Sequence, residues 1–177
     1  MTIDDLRAMP DDGNRYEIIE GELFVSPAPD LIHQIVSDNI AHLIRNYLER
    51  HPVGFVLPSA GLIFTEYTGV VPDIAFFSFA KSNQIVSGER LTRPALVIEI
   101  LSAGTENVRA AKRQLYGKHG VLEYWLIDRD APAVELYRLH GESLESAGVF
   151  QGEDELSTPE LPGFSCAASH IFRLPPL

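Results

Sequence analysis

Apolar residues recur along the chain at two spacings, and the change from one to the other marks its elements. Over residues 15–25, RYEIIEGELFV, two short apolar segments flank Glu20-Gly21-Glu22 and predict a β-hairpin. SPAPD then breaks the pattern. From residue 31 to 50, Ile32, Val36, Ile40, Leu43, Ile44 and Tyr47 return at helical spacing, so an amphipathic helix is predicted there with Asp30 as its cap. His33 projects toward the same stripe. Strands are predicted near residues 53–57, 60–66 and 70–77, followed by a polar loop, AKSNQIVSGERLTR, and a further strand in PALVIEILS, residues 94–102. A second helix, capped by Thr105 and stopped at Gly120, leads to strands in VLEYWLID and AVELYRL and to an acidic tail containing LPGFSCAASHIF. A helix laid between strands of one mixed sheet implies an α/β layer with a crossover connection.

Two acids interrupt the apolar pattern. VVPDIAFFSF, residues 70–79, reads as a buried strand that contains Asp73, and PALVIEILS holds Glu99 between Ile98 and Ile100. Asp disfavours strand interiors, and an unpartnered buried carboxylate costs several kcal/mol. An acid in each of two near-continuous apolar runs suggests two carboxylates meeting at one place, where a single cation compensates both.

Composition narrows the classes. With 177 residues and 45% hydrophobic content the chain can bury one core, and we expect a single domain over 1–177. Its apolar runs are strand-sized, far short of the roughly 20 residues of a membrane-spanning helix, and MTIDDLRAMPDDG lacks the basic-then-apolar order of a secretory signal. No membrane association and a cytoplasmic location are expected. Cys166, the lone cysteine, excludes an intramolecular disulfide and a multi-cysteine zinc site. A net charge of −11 argues against passive coating of DNA. Yet residues 90–118 hold six bases and two acids, while 128–160 hold nine acids and two bases. The basic zone surrounds Glu99, which suits either a phosphate-handling site or an ordinary charged helix face.

In the second predicted helix Val108, Lys112, Leu115, Tyr116 and His119 share one side. Lys112 therefore points with apolar residues, either snorkelling to water or folding back over the sheet to meet Asp73 and Glu99. In the second case the chemistry is evident. Asp73, Glu99 and the backbone carbonyl of Ile100 would bind Mg²⁺ or Mn²⁺ through oxygen, the metal would polarise a phosphodiester, and Lys112 would stabilise the developing charge.

At this point the chain resembles a known family. RYEIIEGELFVSP, His33, VVPDIAF, ALVIEILS, Lys112 with Tyr116, GVLEYWLID and LPGF are similar, in order and spacing, to the bacterial Uma-two family of restriction-endonuclease type, over nearly the whole chain. That family resembles a branch of the PD-(D/E)XK nuclease superfamily. The resemblance implies an αβββαβ core with a mixed central sheet flanked by helices, here with an N-terminal hairpin and a C-terminal β extension. It also implies divalent-metal dependence and phosphodiester hydrolysis. Asp73 then matches the PD aspartate and Glu99 the acid of (D/E)XK; Leu101 stands at the usual lysine position, and Lys112 takes that role from the following helix. Family members carry an Asp four residues before that lysine and a Pro after a Ser, where this chain has Val108 and Ala103.

Two assignments stay open on the residues alone. His33 is either a core histidine or a contact to the site, and Glu17, Glu20 and Glu22 are solvated hairpin charges unless one, with Glu22 carried forward, supplies another metal oxygen. Tyr124 and Trp125 are read as core. Two functions are carried forward: a metal-dependent endonuclease acting on nucleic acid, DNA foremost, with a homodimer supplying a second active site for duplex cleavage; and a catalytically silent module of the same fold that binds nucleic acid or protein.

Overall fold

The computed structural model describes residues 1–80, 93–101 and 106–176, with residues 106 and 107 described by backbone alone. A short helix α1 (Ile3–Arg7) leads to the hairpin β1 (Arg15–Ile19) and β2 (Glu22–Ser26), then to α2 (Leu31–Arg50). Strands β3 (Gly54–Pro58), β4 (Leu62–Thr65), β5 (Thr68–Val70), β6 (Ile74–Ser78) and β7 (Leu96–Ile100) precede α3 (Glu106–Lys118). Strands β8 (Glu123–Asp128), β9 (Ala133–His140), β10 (Ser143–Gln151), β11 (Glu155–Ser157) and β12 (Ser165–Ala167) complete the chain.

The central sheet has six strands in the order β10-β9-β8-β7-β6-β3. Among the described residues only β7 and β8 pair in parallel, and α3 is the crossover that joins them. A smaller sheet, β2-β1-β5-β4, is separate. The αβββαβ core is therefore α2, β3, β6, β7, α3 and β8, with the β4–β5 hairpin inserted between β3 and β6. The hairpin expected over 15–25 forms with Glu20 (φ 51°) and Gly21 (φ 85°) at its tip, the positive-φ pair that matches strand twist.

Period-two alternation sorts the sheet into two faces. Ile74, Phe76, Leu96, Ile98, Ile100, Trp125 and Ile127 pack with Val36, Ile40 and Ile44 of α2 and with Leu161, Phe164 and Ile171 of the tail. The opposite residues, Ala75, Phe77, Val97, Tyr124 and Leu126, pack with Leu115 and Tyr116 of α3 and with Ile19, Leu62 and Val70 of the smaller sheet. Glu99 has the parity of Val97 and faces α3. Helix α3 also lies close to the β9–β10 turn at Gly117, where a Cβ would meet the Glu142 carbonyl oxygen at 2.7 Å. It ends as the sequence predicts, with Gly120 at φ 76° and the Val121 N–H on the Tyr116 carbonyl.

Several boundaries differ from the sequence reading. The run 70–77 is not one strand: it breaks at 71–73, its first part pairing in the smaller sheet and its second in the central one. Pro72 cannot donate to a ladder, and Asp73 sits at the corner between the sheets instead of in a strand interior. The mixed central sheet forms as expected, with β4 and β5 joining the N-terminal hairpin in the smaller sheet and β11 pairing with β12 in a two-stranded ribbon of the C-terminal extension. Segment 60–66 yields only β4 and a turn into β5, α1 was unforeseen, and the acidic tail carries the nine-residue strand β10. Thr105, Ala103 and residues 81–92 of the expected loop lie outside the described residues. Among the described residues no helix is long and apolar enough to cross a membrane.

Candidate active site

The corner between the sheets opens as a cleft of about 440 Å³, with Arg15, Glu17, His33, Asp73, Glu99 and Lys112 on its floor. Four elements, together with the 71–73 corner that carries Asp73, deliver these groups. Arg15 and Glu17 are two residues apart on β1 and so share a face; His33 lies in the first turn of α2; Glu99 is in β7; Lys112 comes from the middle of α3. Asp30 fixes the start of α2 by accepting the His33 N–H at 3.0 Å, as its place in the sequence predicts. It also pairs with Arg129 across one end of the cleft.

Two linked groups make up the floor. In the first, Asp73 Oδ1 accepts from Arg15 at 2.9 Å and lies 3.0 Å from His33 Nε2, while Oδ2 accepts the Ile100 N–H at 2.8 Å. In the second, Lys112 Nζ lies 2.9 Å from Glu99 Oε1 and 2.8 Å from Glu17 Oε2, and the Tyr116 hydroxyl donates to Glu99 Oε1 at 2.6 Å. The backbone of Val71 ties them together: its N–H donates to Glu17 at 2.7 Å and its carbonyl accepts from Arg15 at 3.2 Å.

The charges do not balance. Among the described residues, Glu17, Asp73 and Glu99 set three carboxylates against two permanent cations, Arg15 and Lys112, with His33 beside Asp73 a cation only when protonated; Arg109 and Arg129 on the cleft wall are paired with Glu135 and Asp30. The deficit falls on Glu99. Burial, with the neighbouring Asp73 and Glu17 charges, raises its carboxyl to about 7 despite Lys112 and Tyr116. Asp73 differs: burial pushes it up, but His33, Arg15 and the Ile100 N–H together hold it below the ordinary carboxylate value. Burial opposes the charge of Lys112 as well, and Glu99 and Glu17 outweigh it, so the ammonium is held. Burial beside Glu99 drives the Tyr116 hydroxyl well up, so it remains a donor.

Asp73, Glu99, Lys112, Tyr116 and His33 are thus brought together, and snorkelling is excluded for Lys112, whose residue is only 6% exposed. Glu22 is exposed at the start of β2, and Glu20 pairs with Lys118 at the surface. The hairpin acid on the cleft floor is Glu17, which the sequence reading left among the solvated charges, and Arg15 was missed altogether. A signal was available: Ile18 and Ile19 are consecutive apolar residues, so both faces of β1 are covered, and Glu17 shares the face of Ile19. Tyr124 and Trp125 are buried as expected. Of the basic zone, Lys112 reaches the floor and Arg109 the wall of the cleft, while Arg113 lies over the Tyr137 ring at 5.0 Å and Lys118 pairs with Glu20. Val108 and Leu101 line the cleft.

Oxygen donors on the floor suit a hard dication. Among the described residues no three His, Cys, Asp or Glu side chains are grouped to hold a metal. A cation here would rest on two carboxylates, backbone and solvent, the manner in which Mg²⁺ is commonly held. One positive charge too few beside Glu99 is the observation that makes the fit.

The fold places the chain among mixed α/β proteins of restriction-endonuclease-like architecture. A family model, Uma2, described as putative restriction endonuclease, matches residues 3–169, and the chain belongs to that family. Among solved structures it is similar to a putative nuclease belonging to DUF820 from Anabaena variabilis ATCC 29413, with 25% identity, a TM-score of 0.79 and 97% of each chain covered. No curated protein matches it.

Proposed function

We propose that the protein is a Mg²⁺- or Mn²⁺-dependent nuclease that hydrolyses phosphodiester bonds of nucleic acid, with DNA as the foremost substrate. The observation that carries this reading is Lys112: a lysine buried on a cleft floor, 2.9 Å from a strand carboxylate that is itself short of positive charge. Asp73, Glu99 and the Ile100 carbonyl would hold the cation, which supplies polarisation of the phosphate and activation of water. Lys112, fixed between Glu17 and Glu99, offers its remaining N–H to the attacking water or to the charge that develops on the phosphate oxygens. Tyr116 orients Glu99 through its 2.6 Å hydrogen bond. Val108, Leu101 and Tyr124 make the cleft walls partly apolar and reduce competing solvent. For duplex DNA a second copy of the chain would supply the second cut, and a two-fold dimer is the arrangement we propose.

One observation favours the alternative, a catalytically silent module. Both Asp73 oxygens already have protein partners, so the acids can be read as a self-compensated structural cluster. Incubation of pure protein with plasmid, duplex and single-stranded oligonucleotides, and RNA, each with Mn²⁺ and with chelator, separates the two. Chelator-sensitive cleavage lost in Glu99→Gln supports the nuclease. Inactivity on every substrate at saturating metal supports the silent module.

A further inference from the structure

The partner of Asp73 on its cleft side is a cation that a metal would have to replace. Arg15 reaches Asp73 Oδ1 at 2.9 Å and otherwise makes a longer bond of 3.2 Å to the Val71 carbonyl. Its side chain is 20% exposed and lines the open cleft, whereas His33, the other group on Oδ1, is 6% exposed and fixed by the capped first turn of α2. Arg15 can therefore leave Asp73 without being buried unpaired. After such a departure Asp73 keeps the Ile100 N–H and His33.

Charge balance shows what that departure accomplishes. With a dication on the floor, Glu17, Asp73 and Glu99 are matched by the metal and Lys112 alone. Arg15 becomes the surplus charge, and it would sit beside a 2+ ion on one carboxylate oxygen, a like-charge contact that low dielectric makes costly. Turned into the cleft, its guanidinium faces the space a substrate would fill, and its planar fork suits the paired oxygens of a phosphodiester.

We propose that Arg15 is an exchangeable cation: it occupies the metal's place on Asp73 in the resting protein and, once displaced, becomes a binding residue for a phosphate of the nucleic-acid substrate. This rests on the nuclease reading above, and it makes an unusual claim, that deleting an active-site arginine strengthens metal binding. A purely structural arginine would also oppose the metal through its charge, so the exchange is distinguished by its second effect: removing Arg15 weakens oligonucleotide binding, which a purely structural arginine would leave unchanged.

Two measurements test it. Mn²⁺ is titrated calorimetrically into the wild type, Arg15→Gln and Arg15→Met. A fluorescent single-stranded oligonucleotide is then titrated, by anisotropy with Ca²⁺ in place of Mn²⁺ so that cleavage does not intrude, into the wild type and Arg15→Gln. The expected result is Mn²⁺ binding at least about 10-fold tighter in the Arg15 variants and oligonucleotide binding about 10-fold weaker, each near 1.4 kcal/mol. Unchanged or weaker Mn²⁺ binding in variants that melt like folded protein overturns the proposal and leaves the nuclease reading standing. Tighter Mn²⁺ binding with unchanged oligonucleotide binding overturns the phosphate role. Absence of Mn²⁺ binding in every protein overturns both this and the reading beneath it. Should both neutral variants fail to fold, Arg15→Lys serves instead, with a smaller gain in Mn²⁺ affinity expected, because a point donor holds Asp73 less well than the guanidinium fork.

Discussion

Lys112 Nζ lies 2.8 Å from Glu17 Oε2 and 2.9 Å from Glu99 Oε1, so one ammonium from α3 serves carboxylates from two different sheets. It is the strut that holds the smaller sheet against the central one on the α3 side. Removing its charge leaves two buried carboxylates facing each other.

Lys112→Met is accordingly expected to destabilise the fold as well as to stop catalysis. Breaking a buried pair from one side costs about 3–5 kcal/mol. The loss should shrink toward pH 5, because Glu99, already raised to about 7, then takes a proton and the repulsion goes with it. Urea unfolding at pH 7.5 and pH 5 measures this. In the conditions where the variant is folded, nuclease turnover should fall about 100- to 1000-fold, the range for loss of one oriented donor.

Asp73→Asn and Glu99→Gln should part company in stability while both losing Mn²⁺ affinity. Asp73 is held below its ordinary pKa, so its ionised form stabilises the protein above about pH 4, and the amide should cost about 2 kcal/mol at neutral pH. Glu99 is raised, so its ionised form is a burden, and Glu99→Gln should be neutral or stabilising at pH 8. Paired denaturant titrations and Mn²⁺ calorimetry check both halves. Equal destabilisation by the two amides would contradict the charge deficit assigned to Glu99.

The two predicted helices and the hairpin were legible from their periods and the strand of Glu99 from its continuous apolar run; the helical face put Lys112 with the apolar residues and left two alternatives, of which the contact with Glu99 is the one observed. The break at 71–73 was less so, because Val70, Val71, Ile74 and Ala75 read as continuous and only Pro72 marks the corner. Glu17 and Arg15 were hidden for a different reason. Alternating charge on a short hairpin looks like a solvent face, and what covers that face is α3, distant in sequence. Local pattern carries the faces of an element but not what is laid over them, except where, as at Ile18-Ile19, apolar residues fall on both.

The raised Glu99 sets a pH dependence with a definite sign. An acid whose folded pKa lies above its unfolded value of about 4.5 binds more protons when folded. Its favourable contribution is complete below pH 4.5, is lost as pH rises toward 7, and is constant above. Metal-free protein in chelator should therefore lose up to about 3 kcal/mol between pH 4.5 and 7, the value of the shift at 1.36 kcal/mol per unit. That trend should vanish in Glu99→Gln. Mn²⁺ binding should release close to one proton at pH 6 and few at pH 8, read from calorimetric heats in buffers of different ionisation enthalpy.

Val108 is one of the two positions, with Ala103, at which the chain departs from the pattern that the family resemblance implies, there an Asp four residues before the helix lysine, and its side chain lines the cleft one turn from Lys112. Val108→Asp adds a fourth carboxylate to a floor that already has one too many. In metal-free protein this should raise Glu99 further and cost about 1–2 kcal/mol, since the partly exposed site screens the new charge. With metal the sign reverses. The added oxygen supplies another ligand or turns Lys112 toward the phosphate, so Mn²⁺ affinity should rise at least about 10-fold and the metal-dependent increase in melting temperature should grow with it. Thermal melts across a Mn²⁺ series measure both effects on one sample. A variant destabilised equally with and without metal would show that Val108 packs a wall the cation never reaches.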